Sequence, residues 1–188
     1  APLSSNPWFN VSAPHPFSVF YDWNHENKMT RDYIKKSLKY LIEEYKVDGF
    51  RFDLTKGFTN MSSNESSASN YDQSRVNILK DYGSYIKSVD PNAVVILEHF
   101  ADSENYELGK AGLKVWRNVN YEGRNAVKGG VGNFGGFMTE SSIAFGTYVG
   151  FIESHDEERV CYGAVLGDVS SVTWGVAGTL TDGENRQT

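Results

Sequence analysis

The sequence has few of the residues and patterns that would mark several large classes of protein. A single cysteine, Cys161, excludes an internal disulfide and cannot form a metal site alone. No apolar run approaches the roughly 20 residues of a transmembrane helix, so we expect no membrane span. The formal net charge of −6 argues against nucleic acid or an anionic membrane as the main partner.

What is present is the composition of an ordinary globular domain. Hydrophobic residues make up 39% and charged residues 22% of the 188 positions, a length that suits one domain and is short for two. Aromatic residues reach 14%, which weakly favours carbohydrate binding because flat rings pack against sugar rings. The start, Ala1-Pro2-Leu3, is compatible with a removed signal peptide, hence a secreted or periplasmic location, and equally with an excised piece.

Hydrophobic periodicity predicts a series of βα units within one domain, 1–188. Four of the five prolines lie in 1–28, which we interpret as an irregular lead-in; the units occupy 29–162, and 163–188 is a poorly defined tail. Helices are predicted from Thr30, as N-cap, to 46 and over 72–89, and strands at 47–53, 93–98, 114–120 and from 148 onward. The order strand, helix, strand predicts a parallel sheet.

Three of these strands lead into a carboxylate: Asp53, Glu98 and Asp156. In a parallel barrel the active site lies at the carboxyl ends of the strands, so we expect the three side chains to converge. Hydrolysis of a glycoside with retention needs two carboxyl groups about 5 Å apart, one as nucleophile and one as acid/base.

The surroundings of two of the carboxylates predict different roles. Arg51 lies two residues before Asp53 on the same strand face, where its charge favours an ionised carboxylate. Glu98 follows the apolar run 93–97, which favours its protonated form. A purely structural ion pair between Arg51 and Asp53 is the alternative interpretation.

Several segments resemble the α-amylase family of glycoside hydrolases. The stretch VDGFRFDLTK at 47–56 resembles the family's nucleophile strand, and Glu98 falls where the family has its acid/base on the next strand. FIESHD at 151–156 resembles the late motif that binds sugar hydroxyls, and DWNHEN at 22–27 resembles the lead-in to the nucleophile helix. The resemblance covers roughly 20–162.

The resemblance implies a partial TIM (β/α)₈ barrel, its C-terminal half, with about four parallel strands and flanking helices. It implies retaining hydrolysis of α-glucosidic bonds in starch-like glucans or maltooligosaccharides by double displacement. Asp53 would be the nucleophile, Glu98 the acid/base, and Asp156 would hold the hydroxyls at carbons 2 and 3 of the sugar. The other implied substrate-binding residues are Arg51, Lys56 and His155.

The resemblance also implies what must come from elsewhere. The chemistry needs no cofactor, and a structural calcium ion is compatible with the family. Gly57 stands where the family usually has histidine, and the family's first motif is missing before Asp53. A complete barrel takes typically about 250 residues. We therefore expect the remainder of the barrel in a parent chain, and expect this piece alone to be inactive.

The same residues are compatible with other functions and suggest other sites. A related transglycosylase, such as a branching enzyme, would share the acidic residues, and a non-catalytic glucan-binding relative would keep the fold. GVGNFG at 130–135 matches a dinucleotide fingerprint in letters alone, but no buried strand precedes it, so we predict a loop. His155 to Glu158 could suggest metal ligands, but adjacent strand residues point to opposite faces, so we predict no metal site there.

Overall fold

The chain folds as an α/β protein in which four parallel strands form one sheet flanked by helices. The computed structural model describes residues 2–137, 142–157 and 159–162. The sheet order is β1-β2-β3-β4, with strands β1 Gly49–Phe52, β2 Val94–Leu97, β3 Lys114–Asn118 and β4 Tyr148–Phe151. This architecture is consistent with part of a β/α barrel and confirms the predicted fold class.

Four α-helices accompany the strands: α1 Lys28–Tyr45, α2 Gln73–Val89, α3 Asn105–Lys110 and α4 Asn120–Val127. Short 3₁₀ turns lie at Thr55–Gly57, Asp102–Glu104 and Phe134–Phe137. Within the described residues, no helix is both long enough and apolar enough to cross a membrane. The predicted tail, 163–188, lies outside the described residues.

Helix α1 begins earlier than predicted. The Asn27 side chain caps it by accepting a hydrogen bond from Met29 N–H. The predicted cap, Thr30, is wrong: it lies inside the first turn and donates its hydroxyl to the Pro7 carbonyl at 3.0 Å. Asparagine and threonine are both favoured N-caps, so the local sequence does not distinguish Asn27 from Thr30. The contact of Thr30 with Pro7 joins residues distant in sequence, and a local pattern carries no information about it.

Helix α2 confirms its prediction and supplies much of the core. Asp72 caps it by accepting from Ser74 N–H at 2.9 Å. The apolar face of α2 packs with α1, β2 and β3 in one cluster whose buried members are Leu38, Ile42, Val76, Leu79, Ile86, Ala93, Val95, Leu97, Leu108, Leu113 and Val115. Burial of this face fixes the helix on the sheet.

The register of β1 and β2 sets the position of the residues that follow them. Gly49 is paired with Val94 and Phe52 with Leu97, so Asp53 and Glu98 come next on neighbouring strands. Glu98 N–H continues the ladder by donating to the Phe52 carbonyl at 2.9 Å. Parallel pairing therefore brings these two carboxylates together at the carboxyl ends of β1 and β2.

The described part of the chain divides into two compact units. One lies within Ala1–Trp116 and Ser141–Val149, and the other within Arg117–Glu140 and Gly150–Thr188. Helices α1, α2 and α3 belong to the first unit and α4 to the second.

Candidate active site

One guanidinium group connects Asp53 and Glu98 in the first unit. Arg51 Nη2 donates to Glu98 Oε2 at 2.7 Å, and Arg51 Nη1 donates to Asp53 Oδ1. The guanidinium also lies over the Trp116 ring, 4.3 Å from its centroid, which restricts its orientation. The structure thus places three of the predicted site residues in direct contact.

Glu98 has a buried carboxyl group in surroundings that favour its protonated form. It is 6% exposed, and its Oε2 also accepts Leu54 N–H at 3.1 Å. Burial raises the pKa of Glu98, and the Asp53 carboxyl adds to the rise, while Leu54 N–H and Arg51 act in the opposite direction. The net direction is upward, so this carboxyl holds its proton to higher pH than an ordinary glutamate does.

Asp53 shares Arg51 with Glu98 but has a different exposure. Its side chain is 61% exposed, against 7% for that of Glu98. The site therefore contains one solvent-accessible carboxyl group and one buried carboxyl group.

The turn after β1 holds the two strand ends together. Leu54 adopts a left-handed conformation with φ of 45°, an unfavourable geometry for a non-glycine residue. This turn directs Leu54 N–H at the Glu98 carboxylate, and Thr55 N–H at the Glu98 carbonyl at 3.0 Å. The turn after Asp53 thereby fixes both the side-chain carboxyl group and the main-chain carbonyl of Glu98.

A cleft of about 440 Å³ lies beside Asp53 in the same unit. Its lining is largely aromatic and apolar and includes the side chains of Phe17, Val19, Tyr21, Trp23, Ile34, Phe52 and Phe58. Rings of this kind pack against the apolar faces of sugars. Sequence reasoning did not place this cleft, although the DWNHEN segment and the aromatic content were the available signals.

His25 forms part of the cleft wall in an uncharged state. Burial lowers the pKa of His25 to about 3, and the charges of Arg31 and His15 act in the same direction. Its Nδ1 lies 2.9 Å from the Tyr82 hydroxyl, and its ring stacks on Phe58 with centroids 3.8 Å apart. These contacts give His25 a hydrogen-bonded structural role in the cleft wall.

Lys56 lies on the 3₁₀ turn that follows Asp53. Its Nζ donates to Ser69 Oγ at 3.0 Å and lies 5.0 Å from the centroid of the Phe17 ring, which lines the cleft. Burial lowers the pKa of Lys56, and the charge of Arg75 adds to this. The ammonium group is thus partly desolvated and anchored near an aromatic wall.

The second unit holds the other two predicted site residues. His155 Nε2 and Asp156 Oδ1 lie 3.4 Å apart, and both side chains are exposed. Asp156 N–H donates to Ser154 Oγ at 3.1 Å, and Glu153 accepts Val160 N–H at 2.7 Å, so the turn after β4 is internally bonded. The structure therefore presents the His155–Asp156 pair to solvent.

The glycine-rich segment near 130 is built as a loop, as predicted. It follows α4, and its last two residues begin the 3₁₀ turn Phe134–Phe137. Asn133 N–H donates to Glu122 Oε2 at 2.7 Å, and Gly135 N–H donates to Asn133 Oδ1 at 3.1 Å. Since these amides already bind protein oxygens, the segment lacks the strand-to-helix turn with open amides that cradles a pyrophosphate.

Among residues 2–137, 142–157 and 159–162, no group of three or more His, Cys, Asp or Glu side chains is arranged to hold a metal ion. Glu158, part of the sequence pattern considered for a metal, lies outside the described residues. A structural calcium ion stays a prediction of the family resemblance.

Comparisons with known proteins add no identification: no family model matches the chain, and no curated protein matches it significantly. The function is therefore inferred from the residues of the site and their geometry.

Proposed function

We propose that this chain carries the catalytic groups of a retaining α-glucan hydrolase of the α-amylase type. The substrate would be α-glucosidic bonds in starch-like glucans or maltooligosaccharides. The observation that carries the proposal is the single Arg51 guanidinium shared by an exposed Asp53 and a buried Glu98 at the ends of adjacent parallel strands. This pairing supplies the two unequal carboxyl groups that retaining hydrolysis uses.

In the first step, an oxygen of the Asp53 carboxylate attacks the anomeric carbon of the bound sugar. The bond from that carbon to the departing glycosidic oxygen breaks, and Glu98 gives its proton to this oxygen. In the second step, Glu98 takes a proton from water as the water oxygen attacks the same carbon and releases Asp53. Two inversions at one carbon leave its configuration retained.

The electrostatics of the site suit both roles of Glu98. The charge of Asp53 contributes to the raised pKa of Glu98, so the resting enzyme favours the acid form. Esterification of Asp53 removes that charge, while the Arg51 hydrogen bond to Glu98 at 2.7 Å remains available. The pKa of Glu98 then falls, as a general base for the second step requires.

The remaining roles follow from the sequence motifs. Asp156 would hold the hydroxyls at carbons 2 and 3 of the reacting sugar, with His155 beside it. Lys56, anchored near Phe17, would contribute to a downstream subsite, and the aromatic lining of the cleft next to Asp53 supports sugar binding there. The reaction needs no cofactor, and a calcium ion would serve a structural purpose.

The proposed activity requires more strands of a barrel than the described residues supply. The described residues supply four strands, whereas a (β/α)₈ barrel has eight. Strand β1 ends the sheet order and so presents one unpaired edge within the described sheet. We expect the parent chain to provide the remaining strands, and the 188-residue chain alone to show no hydrolysis.

The test is product analysis with the full-length parent protein on amylose and maltooligosaccharides. Proton NMR should show the α-anomer as the first product, and Asp53→Asn and Glu98→Gln should each lose activity, about 10²–10⁴-fold for the acid/base. Asp32→Asn, a carboxylate paired with Lys28 on the surface of α1, is the matched control and should retain parental activity. A β-anomeric first product, or Asp53→Asn acting at the parental rate, would overturn the proposal.

The same experiment separates the two alternatives. Transfer of glucosyl units to an acceptor sugar in place of water would indicate a transglycosylase with the same catalytic residues. Binding of amylose with no turnover would indicate a non-catalytic glucan-binding protein.

A further inference from the structure

A chain of buried polar side chains lies directly behind Glu98. Thr55, His99 and Glu104 are fully buried at 0% exposure, and Arg75 is 1% exposed. Burying a charged pair carries a desolvation cost that a well-packed apolar set avoids, so such a pair is weak evidence for a stabilising role. Its contacts point to a different role.

The chain begins at the main-chain carbonyl of Glu98. Thr55 N–H donates to this oxygen at 3.0 Å, and Thr55 Oγ lies 3.0 Å from the same oxygen. Thr55 Oγ is also 3.1 Å from His99 Nδ1, and His99 Nε2 is 2.9 Å from Glu104 Oε2. Thr55 is thus the link between the acid/base residue and the buried ion pair.

The chain ends on the loops that follow β1. Arg75 Nε donates to both Glu104 oxygens, at 3.1 and 3.2 Å. The other guanidinium nitrogens of Arg75 donate to three main-chain carbonyls at 2.9–3.0 Å, those of Lys56, Ala68 and Asn70. The ion pair therefore fixes the backbone at Lys56, three residues beyond Asp53, and at the end of the serine- and asparagine-rich loop 60–70 that precedes α2.

The direction of the hydrogen bond between His99 and Glu104 follows from their protonation states. Burial lowers the pKa of His99, so its ring is neutral and carries one N–H. Burial alone would raise the pKa of Glu104, but the hydrogen bonds from His99 and Arg75 lower it, so Glu104 is an ionised acceptor. Nε2 of His99 must then carry the hydrogen, which leaves Nδ1 as an acceptor. The single hydroxyl hydrogen of Thr55 lies within reach of two acceptors, the Glu98 carbonyl and His99 Nδ1, while Thr55 N–H holds the Glu98 carbonyl in either case.

We propose that Thr55, His99, Glu104 and Arg75 form a positioning relay for Glu98, an inference that rests on the function proposed above. The relay does not touch the substrate. It fixes Thr55, and Thr55 fixes the strand end of Glu98 against the turn that carries Asp53. A displacement of about 1 Å at a catalytic group can lower a rate about 10²-fold, so small movements of Thr55 matter.

The matched variants are Thr55→Val, which keeps the shape and removes the hydroxyl, and Thr55→Ser, which keeps the hydroxyl. Both are made in the full-length enzyme, together with His99→Gln, which removes the imidazole between Thr55 and Glu104. Each is assayed for kcat and KM on maltooligosaccharides, which need Glu98 to protonate the leaving oxygen, and on α-maltosyl fluoride, whose fluoride leaves without a proton. Thermal unfolding confirms that each variant is folded.

The relay predicts that Thr55→Val and His99→Gln lower kcat/KM on maltooligosaccharides about 10- to 100-fold, mainly through kcat. Their kcat/KM on the fluoride stays near the parental value, and Thr55→Ser restores the first reaction. Equal losses on both substrates, or Thr55→Val as active as Thr55→Ser, overturn the relay while leaving the proposed function intact. A parent inactive on both substrates refutes the proposed function itself, and the relay with it.

Discussion

Replacing Arg51 with glutamine tests the electrostatic balance of the site. Arg51 donates a charge-assisted hydrogen bond of 2.7 Å to Glu98, a side chain with 7% exposure. Hydrogen bonds to charged groups contribute about 1.5–3 kcal/mol. Removing the cation takes this stabilisation from the charged form of Glu98, so the pKa of Glu98 should rise further.

The assay is the pH dependence of kcat/KM on a maltooligosaccharide in the full-length enzyme. The alkaline limb reports loss of the proton from Glu98, so it should move to higher pH in Arg51→Gln. Arg51→Lys keeps a positive charge and should move the limb less. Lys39→Gln removes a lysine paired with Glu43 on the surface of α1 and should leave it unchanged.

An alkaline limb that stays in place in Arg51→Gln would refute this reasoning. It would mean that the Arg51 contact contributes little to the protonation of Glu98, and that Arg51 serves mainly the structural ion pair considered from the sequence.

Three further predictions concern stability. Gly49→Ala should destabilise the fold by about 1–3 kcal/mol in urea denaturation, because its Cβ would lie 2.1 Å from the Val94 carbonyl oxygen in the β1–β2 ladder; an unchanged midpoint would contradict the register. Leu79→Ala should cost about 2–5 kcal/mol by the same assay, since Leu79 is 1% exposed in the core, and a loss below that range would argue against its burial. The pKa of His25 is about 3 in the folded chain against 6.5 when unperturbed, so as the pH falls below 6.5 the unfolded chain takes up a proton that the folded chain does not. The contribution of His25 to the free energy of unfolding is therefore complete above pH 6.5, and it declines as the pH falls toward 3 by about 1.4 kcal/mol per pH unit. His25→Gln should lack this part of the pH dependence between pH 7 and 5, and a variant with the parental dependence would exclude His25 as its source.

The parts of the fold that local patterns specify were predictable from the sequence. The period of apolar residues located α2 within a residue, and the apolar runs located the four strands. Because parallel strands of consecutive βα units pair in a known order, the meeting of Asp53 with Glu98 also followed from the pattern. The spacing of two between Arg51 and Asp53 predicted a shared face, and the structure shows them in contact.

The remaining features depend on partners distant in sequence. Arg51 reaches Glu98 across 47 positions, and Arg75 reaches Glu104 across 29. No local periodicity contains those pairings, so neither the sharing of Arg51 nor the buried relay could be read from the chain. The short helices α3 and α4, six and eight residues long, were also missed because so few turns carry little periodic signal.

The most direct test of the central claim is to identify the carboxylate that becomes bonded to sugar. The full-length enzyme is treated with maltosyl fluoride that carries a second fluorine at carbon 5 of the reacting ring, which slows both steps while fluoride still departs without a proton. Peptide mass spectrometry should then find the glycosyl adduct on Asp53, and Asp53→Asn should form none. An adduct on a different carboxylate, or turnover with inversion and no covalent adduct, would contradict the assignment of Asp53 and Glu98 to a retaining mechanism.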